Sequence, residues 1–158
     1  MRSVRSLTMA TLLAAGPAYG AVTCTGSNVN LSLGTYEAYQ TTNLDSSGVI
    51  TVNCWRDGGA ANTTVTIGLG QSLNSGSIAN RQLKLTGGSD VLAYNFYRDV
   101  NRGAVLGNTA GVDTISLTRH IPNKSSLAFS FPVFGRINAL QDIRSGNYAD
   151  TLVLTISF

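Results

Sequence analysis

Apolar and polar residues alternate along most of this chain, and the clearest alternation lies at its C-terminus. From Tyr148 onward, one face of the predicted strand would carry Leu152, Leu154, Ile156 and Phe158. A period of two residues is typical of a β-strand with one buried face. Because no further segment follows Phe158 in the sequence, we expect the edge of this strand to be protected inside the fold or completed by another chain.

Similar patterns predict about seven further strands, separated by turns rich in Gly, Ser, Asn and Asp. These strands cover residues 29–33, 49–54, 63–69, 82–86, 91–97, 115–118 and 127–134. Residues 45–48 are predicted to form a turn. Pro132 cannot donate a ladder hydrogen bond, so it predicts a bulge or an edge position. Helical periodicity is almost absent, and we therefore expect an all-β fold, an antiparallel β-sandwich.

The first 20 residues predict a secretory signal peptide. Arg2 and Arg5 precede a short apolar stretch at residues 7–15, and cleavage is expected between Gly20 and Ala21. The alternative is an N-terminal membrane anchor, but a spanning helix needs about 20 apolar residues. The mature protein would be one domain, residues 21–158, exported to the periplasm and then the cell surface with no membrane span after signal removal.

Removal of the signal also changes the charge balance. The full chain has 11 Lys and Arg against 8 Asp and Glu, and without Arg2 and Arg5 the positive excess falls from three to one. No run of Lys or Arg remains that would form a phosphate-binding face. We therefore expect no nucleic-acid partner.

Two cysteines, Cys24 and Cys54, remain in the exported chain. Because exported proteins fold in an oxidising compartment, a disulfide between them is the expected state. Two free buried thiols are the alternative. Trp55, next to Cys54, is expected to pack near this bond. A closed zinc site would need more ligands than two cysteines and one histidine provide, so no metal site is predicted.

The residues needed for catalysis are largely missing. His120 is the only histidine, and its context at a strand end favours a structural role. The acidic residues are scattered and mostly stand beside Gly, Ser or Asn, where turn formation explains them. A glycosidase carboxylate pair and an aromatic sugar-stacking surface are the alternatives. We predict no enzyme, no catalytic residue and no cofactor.

Several short motifs, taken in order, resemble the spore coat protein U domain family, which includes the Csu-type archaic chaperone–usher pilins. The resemblance covers essentially all of the mature sequence. It departs at residues 105–108, where the family usually has Trp-Gly. The motifs are Cys24 and residues 33–36, 48–54, 81–83, 92–99, 134–137 and 146–151.

The resemblance implies an immunoglobulin-like β-sandwich that lacks its last strand. In relatives that build pili, a periplasmic chaperone lends a strand to the open groove, an outer-membrane usher assembles the fibre, and a neighbouring subunit then supplies the strand. The function implied is that of a structural subunit of a fimbrium or surface coat, supporting adhesion and biofilm formation. The groove would be lined by Leu152, Leu154, Ile156 and Phe158 on one side and by Val29, Leu31 and Leu33 on the other.

Two other functions stay open at this point. One is a self-complete secreted adhesin or carbohydrate-binding module, and the other is a coat or matrix protein that is not assembled by strand exchange. The segment before Cys24 bears on the choice, because cleavage before Ala21 leaves only Ala21, Val22 and Thr23 ahead of it. Such a subunit is expected to accept a strand but hardly to donate one.

Overall fold

The computed structural model describes residues 20–26 and 31–158 of the chain, and these residues contain β-strands and no helix. The all-β prediction is therefore confirmed. Most of the predicted signal peptide, residues 1–19, lies outside the described residues, as does Val29. The strands are β1 (Val22–Gly26), β2 (Leu44–Arg56), β3 (Ala61–Leu69), β4 (Arg81–Leu85), β5 (Val91–Tyr97), β6 (Ile115–Ile121), β7 (Ser125–Ile137), β8 (Tyr148–Ala149) and β9 (Leu154–Ser157).

The strands form two antiparallel sheets. One sheet has six strands in the order β1-β2-β7-β5-β4-β8, and the other has three in the order β6-β3-β9. The long strands β2 and β7 pair without interruption from Leu44 and Ile137 to Arg56 and Ser125. Strand alternation turns their apolar side chains inward, where Ile50, Val52, Phe129, Phe131 and Val133 are buried. Burial of each such side chain contributes about 1.5–3 kcal/mol relative to exposure.

Cys24 and Cys54 lie opposite each other in the β1–β2 ladder and form a disulfide. This confirms the predicted bond and excludes two free thiols. The bond closes a loop with a sequence separation of 30 residues. The chain-entropy model assigns roughly 3–4 kcal/mol of stabilisation to a loop of that size.

The first predicted strand, residues 29–33, is wrong over the part that the structure describes. Residues 31–33 have no strand conformation, and the first strand is β1 instead. The disulfide holds β1 against β2, while Leu31 and Leu33 pack over two glycines. A Cβ on Gly48 or on Gly135 would overlap the side chain of Leu31 or of Leu33, respectively.

The predicted turn at residues 45–48 is also wrong, because these residues belong to β2. Asp45 pairs in register with Arg136 of β7. The Arg136 guanidinium donates to both Asp45 carboxylate oxygens, at 2.7 and 2.9 Å. A long-range partner therefore extends the strand through residues whose local chemistry favours a turn.

Pro132 pairs with Val49 in an unbroken ladder, so the predicted bulge is absent. On the other side of β7, the ladder to β5 covers only Phe134 to Ile137. Pro132 thus lies where β7 has a strand neighbour on one side only among the described residues. Proline is tolerated at such a local edge.

Candidate functional site

An open groove runs between the two sheets, next to the C-terminal segment of the chain. Its volume is about 1080 Å³. Its floor consists of core side chains from both sheets, and its walls come from residues 31–36 and from the C-terminal segment, residues 143–156. The apolar lining includes Leu31, Leu33, Tyr36, Ile50, Leu69, Leu83, Leu92, Phe96, Ile137, Ile143, Leu152, Leu154 and Ile156.

The structure brings together five of the seven residues predicted for this groove, Leu31, Leu33, Leu152, Leu154 and Ile156. All of these except Leu33 are only half-buried. Such side chains would gain further burial from an additional strand.

Phe158 was predicted to line the groove, but its side chain is 57% exposed and lies outside the groove lining. The reason is that β9 ends at Ser157, so no ladder pairing holds the last residue in the strand. The remaining predicted residue, Val29, lies outside the described residues.

Strand β9 is an edge of the three-stranded sheet. It pairs with β3 from Leu69 and Leu154 to Thr66 and Ser157, and with no other described strand. Across the gap lies β1, the edge of the six-stranded sheet, and a Cβ on Gly26 would overlap the Ile156 side chain. Side-chain contact, rather than a backbone ladder, therefore joins the two sheets here. No ladder within the described residues uses the open side of β9.

The predicted single C-terminal strand is two strands in different sheets. Strand β8 pairs with β4 of the larger sheet, and β9 pairs with β3 of the smaller one. Between them the chain crosses over, held by two backbone hydrogen bonds. The Leu73 amide donates to the Thr151 carbonyl at 3.3 Å, and the Gly70 amide donates to the Val153 carbonyl at 2.8 Å.

Asp150 is the centre of this crossing. Its carboxylate accepts hydrogen bonds from the Tyr94 hydroxyl at 2.8 Å, the Asn74 side-chain amide at 3.1 Å and the Thr151 amide at 2.8 Å. Tyr94 is buried, and burial together with the Asp150 carboxylate raises the pKa of Tyr94 above its usual value. Its hydroxyl therefore stays protonated and acts as a donor. We call these three residues, Tyr94, Asn74 and Asp150, the clamp.

Arg81 ties the same end of the sandwich together from inside. Its side chain is fully buried. The guanidinium donates to the carbonyls of Leu69, Gly70 and Leu106 at 2.8–2.9 Å and to the Asn95 side-chain oxygen at 2.6 Å. Burial lowers the pKa of Arg81. These bonds join β4 of one sheet to the end of β3 in the other.

Sequence reasoning missed both the clamp and the role of Arg81. The signal for the clamp was present, because Asp150 interrupts an otherwise alternating segment with a charge. Arg81 stood in a family-like motif but carried no sign of burial. Their partners lie far away in sequence, so spacing alone could not identify them.

Two titratable residues outside this region, His120 and Asp45, have side-chain partners. The His120 ring contacts the Asn62 side-chain oxygen at 3.3 Å on the surface. The Arg136 hydrogen bonds and the nearby charge of Arg102 lower the pKa of Asp45. Within residues 20–26 and 31–158, no three or more His, Cys, Asp or Glu side chains gather as a metal site would need. The described part also contains no helix long and apolar enough to cross a bilayer.

Fold and site together define a two-sheet, all-β domain with an open groove at its sheet edges. The profile of the Spore Coat Protein U domain family matches residues 8–155, and the chain belongs to this family. The resemblance inferred from its motifs is thereby confirmed. Protein U of Myxococcus xanthus is 29% identical over 138 residues, which cover 81% of this chain and 71% of that protein.

A solved structure titled "Chaperone-tip adhesin complex is vital for synergistic activation of CFA/I fimbriae biogenesis" is also similar. The match covers 86% of this chain and 42% of the chain in that structure, with 15% sequence identity and a TM-score of 0.41. This chain thus spans less than half of that one.

Proposed function

We propose that the chain is a non-enzymatic structural subunit of a fimbrium or coat at the cell surface, whose groove accepts a β-strand from another polypeptide. The observation that carries the proposal is the groove itself. It combines half-buried apolar side chains, Leu31, Leu152, Leu154 and Ile156, with the open edge of β9.

Strand addition would use both features at once. Backbone groups of the incoming strand would extend the three-stranded sheet beyond β9, which supplies hydrogen bonds independent of sequence. Alternate side chains of that strand would enter the groove against Leu154 and Ile156. Affinity would come from the ladder, and selectivity from the fit of the inserted side chains.

The proposed partners follow from the family. A periplasmic chaperone would fill the groove first, an outer-membrane usher would receive the complex, and a neighbouring subunit would then supply the strand. Export would begin with signal cleavage between Gly20 and Ala21 and leave residues 21–158 as the mature domain. The final location would be the cell surface, where adhesion and biofilm formation are the expected contributions.

We also propose that this subunit accepts a strand without donating one from its N-terminus. Val22 and Thr23 pair with Arg56 and Trp55 inside β1. Their backbones are therefore used within the six-stranded sheet. A subunit of this kind fits a fibre end or an assembly built by other contacts.

The experiment that tests the proposal completes the groove within one chain. A flexible linker and an alternating Val/Thr strand of about eight residues are added after Phe158. We expect the Tm to rise by more than about 5 °C and periplasmic yield to increase. The native chain alone should aggregate or be degraded, and co-expression with the chaperone of the same organism should yield a one-to-one complex.

The matched control carries the same linker and a strand with Ser at every inward position. It should raise the Tm by less than the apolar strand does, because it offers the ladder without apolar side chains. A native chain that is a stable monomer, gains nothing from the added strand and ignores the chaperone would overturn the proposal.

A further inference from the structure

The outer surface of the six-stranded sheet carries a continuous band of uncharged side chains. Strand alternation turns these residues away from the core, and all except the half-buried Thr51 are exposed. We call this band the neutral strip. It comprises Thr23 and Thr25 of β1, Val49, Thr51, Asn53 and Trp55 of β2, and Ser126, Ala128, Ser130 and Pro132 of β7.

Trp55 is the most distinctive member of the strip. Sequence reasoning placed this side chain near the disulfide, but it is 46% exposed. In the ladders it is flanked directly by Thr23 on one side and Ser126 on the other. A large aromatic ring thus lies between two hydroxyl groups on an open sheet surface, where nothing within the described chain requires it.

The strip is built on paired strands and is separate from the groove. It is built on the uninterrupted β2–β7 ladder and on β1, which the Cys24–Cys54 disulfide holds in place. None of its residues lines the groove. A strand entering the groove would therefore leave the strip exposed, so the two surfaces can act independently.

We propose that the neutral strip binds a neutral polysaccharide. A pyranose ring presents C–H groups on its face and hydroxyls around its rim. Trp55 offers an apolar ring for the face, together with an indole N–H donor. Asn53, with Thr25 beside it, offers an amide and a hydroxyl for the rim.

The charge pattern selects a neutral ligand over an anionic one. Along the strip no cationic side chain is present to pair with sulfate, phosphate or carboxylate groups. Charges flank it instead: Arg136 and Arg102 both pair with Asp45 toward one end of β2, and Arg56 and Asp57 follow each other at the other end. The anionic groups along the middle of a polymer lying on β2 would have no cationic side chain to pair with.

The distribution of apolar side chains disfavours a second copy of the chain as the occupant. A stable interface buries about 800 Å² per partner, and its fully buried centre is more apolar than its rim. The strip has the reverse arrangement. The larger apolar side chains, Val49 and Pro132 at one end and Trp55 at the other, leave a middle of Thr51, Asn53, Ser130 and the small Ala128.

The chain offers a direct test because it contains one tryptophan. Intrinsic fluorescence of the exported chain reports on Trp55 alone. Titration with cello-, xylo- and manno-oligosaccharides should give a saturable blue shift with at least one of them, together with reduced quenching by acrylamide. Asn53→Ala keeps the fluorophore and should weaken that binding about tenfold.

Trp55→Ala removes the signal, so it is measured by affinity electrophoresis in gels containing the corresponding polysaccharide. It should abolish the retardation that the native chain shows. Tyr39→Ala is the matched control, since Tyr39 is an aromatic residue that is 88% exposed outside the strip. This variant should be retarded like the native chain, and circular dichroism should show that all three variants fold.

Three results would overturn the proposal. One is an unchanged emission spectrum with every neutral oligosaccharide at millimolar concentration. The second is stronger binding of heparin than of any neutral glycan. The third is a blue shift that follows protein concentration and accompanies a dimer in sedimentation, which would assign the strip to self-association.

Discussion

The Tyr94 hydroxyl donates a hydrogen bond of 2.8 Å to the Asp150 carboxylate, although 56 residues separate the two in the chain. This bond fixes the point at which the C-terminal segment leaves the six-stranded sheet and enters the three-stranded one. Residues beyond that point, Leu152, Leu154 and Ile156, form a wall of the groove. The geometry of the proposed binding site therefore depends on a polar contact outside the strand that forms it.

Breaking the clamp is expected to loosen β9 more than the rest of the fold. Asp150→Asn removes the charge that three donors share, and loss of these charge-assisted bonds should cost about 1–3 kcal/mol. Hydrogen exchange of the Leu154–Ser157 amides should speed up, while the amides of the central β2–β7 ladder stay protected. Asp142→Asn, a control at an exposed position, should leave the exchange rates of both sets of amides unchanged. Equal protection of β9 in both variants would show that the clamp does not position this strand.

The two C-terminal apolar residues should behave differently. Ile156 lines the groove, whereas Phe158 is 57% exposed and does not line it. We expect Ile156→Ser to abolish capture by the chaperone and Phe158→Ser to preserve it. Pull-down yield, normalised to disulfide-bonded subunit, measures the difference. Equal loss in both variants would extend the groove to the last residue, and no loss in either would remove β9 from the interface.

Arg81 should be the most sensitive charged position in the domain. Arg81→Met leaves the carbonyls of Leu69, Gly70 and Leu106 without their buried donor. The expected loss is about 3–5 kcal/mol in the free energy of unfolding, measured by urea denaturation. Arg98→Met, at an exposed position, is the control and should lie within about 0.5 kcal/mol of the native chain. A small effect of Arg81→Met would mean that water can replace the guanidinium.

The Asp45–Arg136 pair should stabilise the fold in a pH-dependent way. Hydrogen bonds from Arg136 lower the pKa of Asp45 in the folded state. The stabilisation by the pair is therefore present above the pKa of about 3.9 that an aspartate has in the unfolded chain. It is lost as pH falls through the lower pKa that Asp45 has in the folded state. Because the pair is partly exposed, Asp45→Asn should cost less than about 1 kcal/mol at pH 7.

Denaturation of the native chain and of Asp45→Asn at pH 7 and near pH 2 checks the direction of this pH dependence. The two proteins should differ at pH 7 and converge in acid, where the carboxyl group is protonated in both. Glu37→Gln, at an exposed position, should match the native chain at each pH. A difference that grows in acid would contradict the assigned direction.

Removing the disulfide should weaken the domain without changing its strand order. Cys24→Ser with Cys54→Ser is expected to cost roughly 3–4 kcal/mol, because the unfolded chain regains the entropy of an open loop. Thermal unfolding measures the loss, and the native chain with reductant is the matched comparison. If reduction leaves the Tm unchanged, the β1–β2 ladder alone holds the N-terminal strand.

Much of the fold could be predicted from local pattern. Residues 91–97 form the strand that their alternation predicts, and residues 63–69 and 127–134 lie inside longer strands. The cysteines pair as the sequence predicts. These features succeed because a period of two residues and the chemistry of a thiol are properties of the chain itself.

Two of the failures share one cause. Residues 45–48 carry turn chemistry, yet Arg136, 91 residues away from Asp45, draws them into β2. Leu31 and Leu33 alternate like a strand, yet their side chains pack over Gly48 and Gly135 while their backbone joins no sheet. In each case a partner distant in sequence outweighs the local preference.

By itself, the sequence determined the all-β class, the disulfide, the family and the apolar face of the C-terminal segment. Only the tertiary structure decided that this segment divides between two sheets, that Arg81 is buried among carbonyls and that Trp55 faces outward. An alternating pattern predicts which side chains share a face of a strand, but not which other strand that strand pairs with. That choice depends on hydrogen bonds such as those of Asp150 with Tyr94 and Asn74, whose partners come together only in the folded chain.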